Sequence, residues 1–122
     1  MMNRVEKLND GELNRINKLF TELRDFLELY HDYSIRHSRR IVKETVELLD
    51  SDESDYDKFQ YVVQAYKALY TGRAGLTEYH IWDNDYDKRM KLNEPLDRIH
   101  HELWEIMKKY IRWFESRQIY VK

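Results

Sequence analysis

The stretch LDRIHHELWEIMKKYIRWFESRQIY, residues Leu96 to Tyr120, decides the fold class. Within it Leu96, Ile99, Leu103, Ile106 or Met107, Tyr110, and Trp113 or Phe114 recur at alternating steps of three and four, the spacing that lines one face of a helix. Trp104 and Ile111 widen that face. Pro95 fits the first helical turn, where its missing N–H has no partner to lose, and Asn93 or Glu94 stands near the cap. The helix is therefore expected to begin close to residue 94. Lys108, Lys109, Arg112 and Arg117 crowd its last turns, where cations meet the negative end of the helix dipole. A rod with so many large side chains needs partners on several sides, and the other helices are expected to surround it.

Working back toward the start, Leu8, Asn9 and Glu12 read as a helix entry, with Asn9 as cap, Glu12 reaching back and Leu8 stapled to Leu13. Leu13, Ile16, Phe20, Leu23, Leu27 and Tyr30 then form a stripe flanked by Leu19 and Phe26. The same spacing next meets Ser34 and His37, a polar gap, before Ile41, Val42, Val46, Leu48 and Leu49 resume. No Gly or Pro interrupts residues 12–50. The expectation over residues 9–50 is a long helix, bent or locally irregular near residues 31–35, or a pair of helices with a bend there. Residues 50–55 are an acidic loop, and Ser54 caps a helix over 54–71 with Tyr56, Phe59, Val63, Tyr66 and Tyr70 on its seam and Gly72 as its stop. Residues 72–92 hold two of the three glycines and read as an irregular aromatic segment, with Asn84 capping a short helix through Met90.

A chain of 122 residues with 3 Gly, 1 Pro and abundant Leu, Glu, Lys and Arg is an all-α single domain, residues 1–122, packed as a small antiparallel bundle. The absence of cysteine excludes disulfides and thiolate metal sites. No apolar run reaches the roughly 20 residues that cross a bilayer. The first ten residues lack a continuous apolar leader, so a cytoplasmic address is expected. The net charge of −2 is unevenly spread. Residues 50–57 carry five acids and no base, whereas residues 88–122 carry nine Lys and Arg against five acids.

Four constellations could carry chemistry. Glu28 with His31, and Asp97 with His100, each set an acid and an imidazole one helical turn apart, as in di-metal helical bundles. No inward pair of glutamates accompanies them, and surface pairing is the simpler account. Asp83, Asp85, Asp87 and Glu94 keep the rhythm of a calcium loop, yet Lys88 stands where that loop needs glycine, and a helix-start cluster explains the acids better. A basic group of Arg36, His37, Arg39, Arg40 and Lys43, with Lys88, Arg89 and Lys91, has the chemistry to bind phosphates, its simpler reading being a solvated helix face. Lastly, Arg73 followed by His80 resembles the Arg-x(4 to 6)-His signature of the HEPN family of helical, often dimeric RNA nucleases. The resemblance implies catalytic roles for Arg73 and His80. It covers those two positions, with Ala74 where the family usually has a polar residue and Gly75 where it has helix.

No nucleophile with a paired base can be assembled, and no metal or cofactor is expected. His100 is expected to be partly buried and His101 to point outward. The reading that follows is a non-catalytic macromolecule-binding protein, such as a small regulator, inhibitor or immunity-type factor, with another protein as partner. Its surface is expected around Arg73, Tyr79, His80, Trp82 and Tyr86, because irregular segments on a rigid scaffold carry function more often than helix faces do. Ile81 and Trp82 could instead cap the bundle end. The polar gap, and a first helix longer than its neighbours, point to self-association as a homodimer.

Overall fold

A computed structural model describes residues 10–30, 33–70, 76–77 and 79–121, with side chains described from Gly11 to Arg112. Among the described residues there are four α-helices: α1 Asp10–Tyr30, α2 Arg36–Leu49, α3 Asp55–Tyr70 and α4 Tyr86–Val121, with a 3₁₀ turn at Tyr33–Ile35 between the first two. Among the described residues there is no strand. The protein is an all-α bundle.

Side-chain pairs across the helices give the direction of each. Asn17 Nδ2 donates to Asp50 Oδ1 at 2.9 Å, and Arg39 Nη2 reaches Glu28 Oε1 at 3.0 Å, so α2 runs back along α1. Lys58 Nζ donates to Leu49 O at 2.9 Å, which sets α3 antiparallel to α2. The Phe59 and Tyr110 rings lie 4.6 Å apart and the Tyr70 and His100 rings 5.0 Å apart, so α4 descends along α3. It also descends along α1, where Glu12 binds Lys109 at 2.9 Å and Tyr110, Glu102 pairs with Arg15, and Glu22 meets Arg98 at 2.8 Å. Each helix packs on its chain neighbours, α1 closes on α4, and α2 and α4 stand on opposite corners. The bundle is thus up-down-up-down, with two distinguishable ends. At the lower end lie the start of α1, the 50–54 loop and the start of α3. The α1–α2 turn, the end of α3 and the first turns of α4 form the upper end.

The seams follow the periodicity. Leu13, Ile16, Leu19, Phe20, Leu23, Phe26 and Leu27 from α1 are buried, and Phe59, Val62, Val63, Tyr66 and Leu69 face them from α3. Leu96, Ile99, Leu103, Ile106, Met107 and Tyr110 complete the core from α4. Ser54 caps α3 as expected, its Oγ accepting from Asp57 N at 3.1 Å. Asn9, Leu8 and Gly72 lie outside the described residues.

Several boundaries differ from expectation, each for a physical reason. The irregularity at residues 31–35 is where the pattern placed it, but the chain reverses there instead of bending. The 3₁₀ turn shifts the phase so that Ile35 is buried in place of Ser34 and His37, which are exposed. Helix α4 begins at Tyr86, not near 94, and holds Pro95 inside it. Asp85, rather than Asn84, caps it: its carboxylate accepts from Lys88 N at 3.1 Å and its carbonyl from Arg89 N at 2.9 Å. Pro95 and Lys91, whose carbonyl loses its usual donor, are both exposed, so water can take that donor's place. The longest helix is α4 with 36 residues, not the first with 21, which removes one ground for expecting a homodimer. Trp104 and Tyr56, placed on core faces by spacing, are 46% and 42% exposed.

Candidate interaction surface

The segment before α4 is built by alternation. Leu76 is fully buried, and residues 79–83 form no helix and alternate between half-buried and exposed. Tyr79 and Ile81 pack against the core, while His80 and Trp82 are exposed. Asn93 locks this arrangement. Although charge-neutral and polar, it is buried, because Oδ1 accepts from Ile81 N at 2.7 Å and Nδ2 donates to Ile81 O at 2.9 Å and to Arg89 O at 2.8 Å. One amide therefore satisfies both backbone groups of half-buried Ile81.

The outward side of the latch presents three large apolar groups. Trp82 is 67% exposed, Tyr86 61% and Met90 52%. Tyr86 and Met90 are four apart on α4 and share a face. Arg89 organises the group: its guanidinium carbon lies 4.4 Å from the Trp82 ring centre and 5.4 Å from that of Tyr86. Its Nη1 also donates to Asp83 O at 3.2 Å. Trp82 Nε1 donates to Asn84 Oδ1 at 3.3 Å, and the Asp83 carboxylate takes Asp85 N at 2.9 Å and lies 3.6 Å from Lys88 Nζ. These contacts hold two aromatic rings and a cation in place without burying them.

The expected site residues thus separate. Trp82 and Tyr86 come together, Tyr79 serves the core, and His80 is exposed on the extended segment, off any helix. Arg73 lies outside the described residues, as do Ala74 and Gly75, so the Arg73–His80 pair has no geometry to assess. The alternative role for Ile81 and Trp82 as bundle caps holds for Ile81 alone. Met90 and Asn93 were not among the expected surface residues, and Arg89 was read only as part of a basic group. Tyr86, Arg89 and Met90 already shared the short helix expected from Asn84 to Met90, whereas Asn93 lay beyond its expected end.

The remaining constellations are ordinary in geometry. His31 is outside the described residues, Asp83 and Asp85 are engaged in the α4 entry, and among the described residues no group of three His, Asp or Glu is placed to hold a metal. His100 is half-buried edge-on to the Tyr70 ring, and burial holds its imidazole below the ordinary pKa against an opposing pull from Asp97. The Tyr70 hydroxyl is pushed well above the usual phenol range by burial, with a smaller contribution from Tyr66. His101 is exposed. Among the described residues, no helix is long and apolar enough to cross a membrane. Comparison of the chain with protein-family models, curated proteins and solved structures finds no match.

Proposed function

We propose that the protein is a non-catalytic module that binds another protein through the Trp82, Tyr86, Arg89 and Met90 surface. The observation that carries this reading is the clustering of two exposed aromatics and a methionine around one fixed arginine. Trp, Tyr and Arg dominate the energetics of protein interfaces, and Met is enriched there. Holding them by Asn93 and the Asp83 carbonyl lowers the ordering cost a partner must overcome. The same side chains would be poor choices for a catalytic site, since none is positioned as a nucleophile with an adjacent base.

The test is affinity capture with tagged wild type and with the exposed-site variants Trp82→Ser and Met90→Lys, each first shown to melt within a few degrees of wild type. A stoichiometric protein that survives nuclease treatment, and is lost with both variants, supports the reading. Retention of the same protein by both folded variants would sink it.

A further inference from the structure

We infer that the tip of the α1–α2 hairpin is a second binding site, for single-stranded nucleic acid. The tip and the Trp82 surface share the upper end of the bundle but sit on opposite corners, α2 against α4. Residues 33–43 contain Arg36, Arg39, Arg40, Lys43 and His37 and no acid. Asp32, the acid just before them, lies outside the described residues. Among the described residues Arg39 is committed to Glu28, but no carboxylate lies within ion-pairing distance of Arg36, Arg40 or Lys43. The opposite end of α2 is acidic, with Glu44, Glu47, Asp50, Asp52 and Glu53, so an anion would be directed to one end of this helix.

Arg36, His37 and Arg40 line one concavity. Arg40 Nη2 lies 2.9 Å from His37 Nδ1, and since a guanidinium only donates, that nitrogen accepts and the ring proton is on Nε2. His37 therefore offers a further N–H donor beside two guanidiniums that meet no carboxylate among the described residues. Arg36 stacks 4.1 Å from the centre of the Tyr33 ring, and Tyr33 is 73% exposed. An aromatic face layered with a guanidinium, next to cations repeated along a helix, fits a chain that alternates flat bases with phosphates. A polyglutamate-like acidic peptide would satisfy the cations but bring no flat group to the Tyr33 face that Arg36 leaves uncovered. That difference favours nucleic acid as the occupant.

The experiment is fluorescence anisotropy with labelled 12-nucleotide oligo(U) and oligo(dT), a 12-base-pair duplex and a polyglutamate peptide, at 50 and 200 mM salt. The inference requires single strands to bind in the micromolar range at the lower salt and about 20-fold more weakly at the higher one, as three phosphate contacts would give. Reversing charge in the Arg36→Glu, Arg40→Glu double variant should abolish binding, and Tyr33→Ala should weaken it about tenfold through lost stacking. Trp82→Ser should leave it unchanged, which separates this site from the proposed protein-binding surface. All these side chains are exposed, so circular dichroism and melting should match wild type. No binding at 50 mM salt, equal binding by the double variant, or polyglutamate binding as tightly as oligo(U) with no effect of Tyr33→Ala would each overturn the inference.

Discussion

The two ends of the bundle solve the same problem in opposite ways. At the lower end the helix termini are closed by short polar groups: Ser54 caps α3, Ser51 Oγ donates to Leu48 O at 2.6 Å, and Lys58 covers Leu49 O. At the upper end the closure comes from inside, through Leu76, Ile81 and Asn93, and the outer side carries Leu29, Tyr33, Trp82, Tyr86 and Met90, each more than half exposed. Polar caps leave a wet, acidic surface with little to offer a partner. An internal latch frees the outer side chains from structural duty, and it is there that large apolar groups and cations accumulate. The contrast supports the proposal that partners are met at the upper end.

Because both ends hang on one core, the largest effect comes from damaging that core. Leu103 is fully buried, and Leu103→Ala is expected to cost about 4 kcal/mol from lost transfer energy and the cavity left behind. Urea denaturation should show one cooperative transition shifted to lower denaturant, with caps and latch lost together. A transition in which one end melts first would mean that the ends do not share a scaffold.

Asn93→Ala separates the ends. Removing the amide strands Ile81 N–H and C=O, at a cost of about 2 to 3 kcal/mol. Hydrogen exchange should accelerate at residues 79–83 and leave the start of α3 as protected as in wild type. The mirror experiment is Ser54→Ala at the lower end. It should cost about 1 kcal/mol, the ordinary value of a lost cap, and leave the upper segment undisturbed.

These contrasts also show what the chain reveals on its own. Stripes with spacings of three and four identified the core of α1, α3 and α4 almost residue by residue, because burial along a helix is a local pattern. The entry to α4 was legible only in part: a cap was expected at Asn84, one residue from Asp85, but the short helix it opened was expected to stop at Met90. Pro95 is a local signal for a helix start, and it was overruled by Asp85 capping more than two turns earlier and by Asn93, whose three bonds reach back to Arg89 and Ile81. Local composition carries no trace of a bond made twelve residues away. Arg89 and Met90 lay within the short helix expected from Asn84 to Met90, but nothing in their residue types sets them apart there, while Trp82 and Tyr86 were singled out because aromatics in an irregular segment are conspicuous by type alone.

His100, packed edge-on against Tyr70 at the end of α3, makes stability sensitive to acid. Its folded-state pKa lies below the unfolded value, so the folded protein resists taking up the proton. The stabilisation this represents is present in full above about pH 6.5 and is lost as pH falls below it, with a slope of at most about 1.4 kcal/mol per pH unit. Urea denaturation at pH 7.5, 6 and 5 should show wild type losing stability over this range faster than His100→Phe. Parallel curves would assign the acid sensitivity to the carboxylates instead.

The smallest expected effect on stability is the most informative about the upper end. Trp82 is exposed, donates one hydrogen bond to Asn84, and shares the Arg89 cation. Trp82→Ser should therefore cost no more than about 0.5 to 1 kcal/mol, the value of an exposed cation–π contact. A residue of that size that contributes so little to folding has its bulk available for something else. If thermal melting instead showed a loss of 3 kcal/mol or more, Trp82 would be closing the bundle as Ile81 does. The two ends would then differ only in the chemistry of their caps, and Trp82 would not be free to meet a partner.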